Sequence, residues 1–443
     1  MKPLTLMKLF LFLLFLIFTP VPEDLANISF RAKIHNVVSS PNLGLLSIAG
    51  VLIMHGYDVK ILDFFADPIK KEQYKKILEE FNPDVIGYSV YTRTVPFLRR
   101  MVELNKKIGY EGITVVGGPH PSFNEREMLD DIGADFVIKG EGEFTFLKLL
   151  ESLKYPVQYP ISRVKGISYR IKNDIYISEK IEYIENLDAL PLQAIGIIDP
   201  EKYSTAFTLI TSRGCPGNCV YCASRALSGN KYRMRSAENI ICEIYFLSEK
   251  LNSRKFLILD DTFTANKERL EYFCLLLSKY NEKYAFRIES RVDAVREKDI
   301  DALKKVGCEV IHFGVESGSQ EIIKKIGKNI NLSWAKEIMC YANKQNIHVV
   351  ASFIIGHFCD TERTIQETIS LMEILRNSGI EVSVAGCVPF PGTPLYEHKD
   401  KLGISIHAHS WQEYDFSNMI ISTSYLSQEQ LRELLFSAVT KIS

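Results

Sequence analysis

Thr211-Ser-Arg-Gly-Cys215-Pro-Gly-Asn-Cys219-Val-Tyr-Cys222 places three thiols within eight residues, directly after the apolar run Ala206–Ile210. Thiols at that density form a metal-ligand set, and two readings compete. One is a zinc site that needs a fourth ligand; the other is an iron-sulfur cubane with one iron left open. The surroundings favour the cluster. No His lies between His120 and His312, and the next thiol, Cys242, falls mid-way along a helical pattern. No fourth ligand therefore stands at the short spacing of a closed zinc site. Gly214, Pro216 and Gly217 suit a loop that turns tightly and offers backbone amides to sulfur, since Gly permits unusual backbone angles and Pro fixes one.

This C-x3-C-x2-C spacing, with the aromatic Tyr221 ahead of the last Cys, resembles the signature of the radical S-adenosylmethionine (SAM) enzymes. The resemblance implies that Cys215, Cys219 and Cys222 hold a [4Fe-4S] cluster whose open iron chelates the amino and carboxylate groups of SAM. It further implies that an electron from the cluster cleaves SAM to a 5'-deoxyadenosyl radical, so an electron donor such as flavodoxin or ferredoxin is expected. The cofactors then carry the hard chemistry and the protein supplies placement.

Downstream, strand patterns recur near Lys255–Asp260, Tyr284–Ile288, Val310–Phe313, His348–Ile355 and Ile380–Val384, each followed by a helical stretch. With Phe207–Thr211 they make six strands, which predicts a partial (β/α)6 radical SAM barrel over 205–397. Its site should ring the carboxyl ends of the strands. Those ends carry Asp260-Asp261, Arg291 with Asp293, Glu316-Ser-Gly-Ser319, Gly356 and Pro389-Phe-Pro-Gly-Thr393. The resemblance assigns Tyr221, Asp261, Arg291, Glu316 and Gly356 to SAM. Each has a plainer reading: Asp260-Asp261 could cap the next helix, and Arg291 could belong to a structural ion pair. The segment Gly356-His-Phe-Cys-Asp360-Thr361 departs from the family's usual Gly-x-Pro-Gly-Glu-Thr. Cys242, Cys274, Cys308, Cys340 and Cys387 are scattered through strand and helix patterns and read as core thiols. Residues 398–443 hold Trp411 and an amphipathic helix from Gln428 to Val439, enough to cover a barrel edge.

Upstream, the run Leu9–Phe18 follows Lys2 and Lys8, as in a targeting segment. It is short for a bilayer span and lacks a small-x-small cleavage site, so it reads as a buried first strand. A helix at Leu43–His55 and strands at Val59–Asp63, Asp84–Ser89, Ile113–Gly117 and Phe136–Lys139 follow. The alternation predicts an α/β fold: a doubly wound, Rossmann-like parallel sheet over 1–150. Small residues gather at its strand ends, where ligands of such sheets sit: Pro41-Asn-Leu-Gly44, Gly87-Tyr-Ser89, Gly117-Gly-Pro-His120 and Gly140-Glu-Gly142. Together they resemble the cobalamin-binding domain that precedes many radical SAM domains. That resemblance implies cobalamin contacts at Asn42, Gly44, Ser89, Gly117, Gly118, His120, Gly140 and Glu141. The D-x-H-x-x-G element is replaced by Pro41-Asn-Leu-Gly44, so no protein imidazole is expected on cobalt, and His120 reads as a hydrogen-bonding or packing residue. Between the domains, 151–204 reads as a linker with a β-hairpin around Lys172-Asn-Asp174.

Hydrophobic content of 46%, charged content of 24% and a net charge of -1 describe an ordinary globular chain of 443 residues, long enough for two cores. The Lys/Arg pairs fall within amphipathic segments, which argues against a nucleic-acid groove. An oxygen-sensitive cluster needs a reducing compartment, so a cytoplasmic protein without a stable membrane span is expected. The whole pattern resembles a cobalamin-dependent radical SAM enzyme, which implies methylation of an unactivated carbon of a small-molecule biosynthetic intermediate. Two alternatives stay open: a radical oxidative cyclase or rearrangement enzyme with a tetrapyrrole-type substrate, and a cobalamin or redox sensor that does not turn over SAM. No residue stands out as a catalytic acid or base.

Overall fold

The computed structural model describes residues 8–14 and 40–442, except 65, 67, 68, 172, 173, 180, 206 and 281. It divides into two compact units, with the boundary between Ala206 and Phe207.

The first unit alternates β1 (Lys8–Leu14), α1 (Leu43–Met54), β2 (Asp58–Asp63), α2 (Lys71–Phe81), β3 (Val85–Val90), α3 (Val95–Lys107), β4 (Ile113–Gly117), β5 (Phe136–Ile138) and α4 (Glu143–Lys154). Strand order is β2-β1-β3-β4-β5, all parallel. The expected first strand forms over 8–14, and residues 15–18 of that run lie outside the described residues. Helix α1 is apolar nearly all round because it is buried, with Leu45, Leu46, Ala49 and Leu52 inside. Asn42 caps it, its side chain accepting from Leu45 N at 2.8 Å.

The hairpin read as part of a linker is not a separate spacer. Its strands β6 (Ile167–Ile171) and β7 (Asp174–Tyr176) pair antiparallel onto β5 and continue the same sheet. Gly50 lets Pro191 and the Leu192 carbonyl lie against α1, since a Cβ there would meet them at 3.1 and 3.2 Å. The chain reverses its direction of sheet-building between β1 and β3, and ligands of doubly wound sheets enter beyond the strand carboxyl ends at such a switch point.

The second unit is a six-stranded, wholly parallel sheet in the order β15-β14-β13-β12-β11-β8, the expected partial barrel. Its strands are β8 (Thr208–Leu209), β11 (Lys255–Ile258), β12 (Ala285–Arg291), β13 (Cys308–Glu316), β14 (His348–Ile355) and β15 (Glu381–Gly386). A small ribbon of β9 (Ser212–Arg213) and β10 (Arg233–Met234) brackets the cysteine loop. The helices are α5 (Ala237–Leu251), α6 (Lys267–Leu277), α7 (Glu297–Lys305), α8 (Gln320–Lys325), α9 (Leu332–Lys344), α10 (Glu362–Asn377) and α11 (Gln428–Ile442). They bury one sheet face, which carries Phe256, Ile258, Phe286, Ile288, Ile311, Phe313, Val349 and Phe353. Helix α11 packs on α10 and β15, covering the sheet edge as its apolar stripe requires. Among the described residues no helix is long and apolar enough to cross a membrane.

Candidate functional site

The cysteine loop is fastened at both ends by neighbouring aspartates. Asp260, 1% exposed, accepts from Thr211 N at 2.6 Å, Thr211 Oγ1 at 2.5 Å, Ser212 N at 3.1 Å and Ser212 Oγ at 2.6 Å. Arg269 balances its charge at 3.6 Å and also donates to the Thr211 and Phe263 carbonyls. Asp261 accepts from Ser224 Oγ at 2.5 Å, just beyond Cys222. Burial raises the Asp261 carboxyl above its ordinary value, and the Ser224 bond works against that rise. Neither aspartate caps a helix, so the plainer reading fails for a reason the sequence did not carry: both are spent on the loop.

Within the loop, Gly214 (φ +85°) passes so close to the chain just before strand β10 that a Cβ would lie 2.7 Å from the Lys231 carbonyl. The Val220 amide donates to the Ile326 carbonyl at 3.0 Å, and the Val220 carbonyl accepts from Leu395 N at 3.0 Å. Cys215, Cys219 and Cys222 line one cavity of 340 Å³. Among the described residues no three His, Cys, Asp or Glu side chains converge as a set for a single metal ion. The thiols instead ring a space, the arrangement that suits a polynuclear centre. Donors already face the sulfurs: Gly217 N to Cys215 at 3.4 Å, Ser224 N to Cys222 at 3.4 Å, and Arg291 Nη1 to Cys219 at 3.6 Å. Hydrogen bonds of this kind stabilise thiolate charge and tune a cluster's potential. Gly217 is small for a reason, because a Cβ would sit 2.7 Å from Arg291 Nη1.

Arg291 belongs to a structural ion pair and also reaches the cysteine loop. It pairs with Asp293 through two bonds of 2.9 and 2.8 Å, and it reaches Cys219 and the Lys328 carbonyl. Burial alone would lower its pKa, but the Asp293 pair raises it, so the group stays charged. Glu316 ends β13 at an irregularity in its pairing with β14, with φ +75°, a left-handed conformation that strains a residue with a side chain. Its carboxylate meets Lys328 Nζ at 2.8 Å with both groups buried. Gly314 makes this possible, since a Cβ would lie 2.4 Å from Glu316 Oε1 and 2.9 Å from Lys328 Nζ. Lys328 was missed from sequence; its only signal is being a cation shortly after Glu316.

The Tyr221 ring packs against His357 at 5.6 Å in a tilted arrangement, and burial, then Glu316, raises its phenol pKa. His357 is fully buried, and among the described residues neither ring nitrogen has a hydrogen-bond partner. The Glu316 backbone lies near the ring but outside hydrogen-bonding geometry. Asp360 is structural, accepting from Gly356 N at 3.1 Å, His357 N at 2.9 Å and Thr364 Oγ1 at 2.8 Å. A Cβ on Gly356 would meet Met419 at 3.1 Å and Leu431 at 3.5 Å, so this side of the turn packs on the carboxyl-terminal segment. Of the thiols read as core, Cys274, Cys308 and Cys387 are buried, whereas Cys242 is exposed on α5 and Cys340 is half-buried on α9.

In the first unit the switch point gathers Ser89, Gly118 and Asn42. Gly118 (φ +103°) lies against the end of β3, where a Cβ would be 2.9 Å from Val90 N and 3.5 Å from Ser89 Oγ. Gly117 fits against Ile138 of β5, and Gly44 against the Asn42 side chain. Ser122 ties the two glycine turns together by donating to the Gly118 carbonyl at 2.8 Å and accepting from Gly140 N at 3.0 Å. His120 is 1% exposed, with Nδ1 on Thr92 Oγ1 at 3.3 Å and Nε2 on Glu127 at 3.0 Å. Both nitrogens are therefore engaged, as a packing residue requires. Gly140 and Glu141 also touch the segment that follows the hairpin: a Cβ on Gly140 would meet Ile181 at 2.6 Å, and Glu141 accepts from Ile184 N at 2.7 Å. Those two hold the segment that follows the hairpin.

Two family patterns match this chain, the B12 binding domain over residues 35–150 and the Radical SAM superfamily over residues 209–372. An uncharacterized methyltransferase of Pyrococcus horikoshii is 30% identical over 402 residues, covering 90% of this chain and 86% of that protein. The chain belongs to the cobalamin-binding radical SAM family. An anaerobic magnesium-protoporphyrin IX monomethyl ester cyclase of Rubrivivax gelatinosus is 24% identical, covering 88% of this chain and 71% of the cyclase. In fold, this radical SAM chain matches the cobalamin-dependent SAM radical enzyme OxsB with TM-score 0.75 at 20% identity, over 97% of its length and 66% of the OxsB chain. This family member therefore uses cobalamin, a [4Fe-4S] cluster and SAM as its cofactors, and the ring of three thiols and the switch-point turns fit those groups.

Proposed function

We propose that this radical SAM enzyme is a methyltransferase that alkylates an unactivated carbon of a small-molecule biosynthetic intermediate. The observation that carries the reading is the ring of Cys215, Cys219 and Cys222 around one cavity, with Arg291 at Cys219, in a chain whose other unit ends its strands in the Ser89 and Gly117-Gly118 turns. When bound, the cluster and SAM supply a 5'-deoxyadenosyl radical, and cobalamin carries the methyl group. The chain's own residues do the placing. The three thiolates hold the cluster, with the Gly217 and Ser224 amides and Arg291 offsetting their charge. Glu316, already poised on Lys328, Asp261 on Ser224 and the Tyr221 ring are the groups offered to SAM. Asn42, Ser89, Gly117 and Gly118 are those offered to cobalamin, while Gly140, Glu141, His120 and Gly356 act by supporting loops.

A cluster of this kind needs a low-potential electron donor such as flavodoxin or ferredoxin and a reducing compartment, for which the cytoplasm suffices. The test is anaerobic incubation of the cluster- and cobalamin-loaded chain with methyl-deuterated SAM, reductant and a small-molecule extract. The expected result is 5'-deoxyadenosine together with a metabolite that gains the deuterated methyl. 5'-Deoxyadenosine with an unlabelled, oxidised product would replace the reading with a cyclase, and none at all with a sensor.

A further inference from the structure

The two faces of the second unit's sheet differ in a way the cluster and SAM do not explain. A parallel sheet covered on both faces carries near-continuous apolar strands, yet β12 and β13 alternate apolar with polar or small residues, and β14 and β15 each set one Ser among apolar neighbours. The helix-covered face is apolar. The other, half-open face carries Arg287 and Glu289 of β12, His312 of β13, Ser352 of β14 and Ser383 of β15, and these join into one chain of hydrogen bonds. Arg287 Nη2 donates to His312 Nδ1 at 2.8 Å and to Glu289 Oε1 at 3.1 Å. His312 Nε2 meets Ser352 Oγ, and Ser352 Oγ lies 3.1 Å from Ser383 Oγ. Ser383 is exposed.

The direction of this chain follows from its first member. A guanidinium can only donate, so His312 Nδ1 must carry a lone pair and the ring's proton sits on Nε2. Nε2–H then donates to Ser352, whose own hydroxyl hydrogen is free to donate to Ser383; in that sense of the chain the hydroxyl hydrogen of Ser383 is left pointing outward. Glu289 also faces His312 Nδ1, but at 3.5 Å against the 2.8 Å of Arg287, so the shorter Arg287 contact decides the tautomer. Each bond polarises the next, so a permanent cation at one end strengthens the donor at the other. Glu289 and Arg291 lie two residues apart on one strand face, about 7 Å along the strand, and Arg291 touches Cys219.

We infer that this strip is the substrate-reading surface of the enzyme, and that Ser383 presents a polarised donor to an oxygen acceptor of the substrate: a carboxylate, an amide carbonyl or a phosphoryl oxygen. The assignment rests on the enzymatic reading above. It makes the substrate a molecule with an oxygen acceptor rather than a plain hydrocarbon, since a hydrocarbon laid on this face would leave the outward hydroxyl hydrogen of Ser383 desolvated and unmet, at a cost of about 1–3 kcal/mol.

The test uses the full chain labelled with ¹⁵N-histidine, with the His312 resonances assigned by their loss in His312→Gln. His312 should show a lone-pair Nδ1 and a protonated Nε2, and Arg287→Met should let the two tautomers mix. Acetate, N-methylacetamide and methylphosphonate, titrated separately, distinguish the three acceptor classes. At least one should shift His312 Nε2 saturably, and Ser383→Ala should weaken that binding at least several-fold, whereas cyclopentanol-free cyclopentane should leave the resonance unmoved. A protonated Nδ1 in the wild-type chain, no saturable shift with any of the three, or an equal shift in Ser383→Ala would overturn the inference. Formation of 5'-deoxyadenosine by the same preparation separates this outcome from failure of the enzymatic reading.

Discussion

At the scale of single residues, the loop that holds the thiols owes its shape to side chains that touch no cofactor. Asp260 satisfies four donors from Thr211 and Ser212 and is balanced by Arg269, with both side chains buried. Asp260→Asn keeps the shape but removes the charge and turns an amide NH₂ toward groups that are themselves donors. Loss of one partner from a buried pair costs about 3–5 kcal/mol, so the urea midpoint should fall and anaerobically loaded iron should drop with it. Unchanged iron content at normal stability would show that the loop holds its shape without the clamp. His357 makes a different prediction. Burial lowers its pKa from the ordinary histidine value, so below about pH 6.5 the unfolded chain takes up a proton that the folded chain resists. The unfolded state then binds more protons, and stability falls as pH falls. In His357→Phe the loss between about pH 7.5 and about pH 5.5 should shrink by about 1 kcal/mol. Equal losses in the two proteins would mean that the imidazole is not held neutral.

At the scale of elements, strand and helix types were legible because parallel strands buried between helices read as short apolar runs. Leu43–Met54 and Ile113–Gly117 could be placed almost to the residue. What could not be read was partnership. The hairpin around Asp174 was visible as a turn signal, but nothing local to it says that β6 will pair with β5. Likewise nothing local to Gly140 and Glu141 says that the segment at Ile181–Ile184 will lie against them. The thiols were legible because a ligand set is local in sequence; Lys328 and the strip from Arg287 to Ser383 were not, because each member comes from a different element. Helix α11 was expected to cover a barrel edge, and its worth can be measured. Leu431 is fully buried, near Gly356, while Phe436 on the same helix is 66% exposed. Leu431→Ala should cost about 2–5 kcal/mol in a denaturant titration, and Phe436→Ala should change stability by no more than about 0.5 kcal/mol. Similar effects from both would mean that α11 does not dock through its buried stripe.

At the scale of the whole molecule, each unit has its own sheet, and each of the two loops proposed to hold a cofactor is fastened within its own unit. The cysteine loop is fixed by Asp260, Asp261, Ile326 and Leu395, all of the second unit. The switch-point turn is fixed by Val90, Ser122 and His120, all of the first. Loading of the two cofactors should therefore be separable. Replacement of Cys215, Cys219 and Cys222 together by Ala should abolish the roughly four irons expected of a cubane and leave cobalamin binding, followed by its visible absorbance, near the wild-type level. Gly118→Val should do the reverse: its backbone angle excludes a β-branched residue, and its Cβ would lie 2.9 Å from Val90 N. A fall in iron content in Gly118→Val, or loss of cobalamin in the triple Cys variant, would mean that the units assemble their cofactor sites as one, against the separate fastening of each loop.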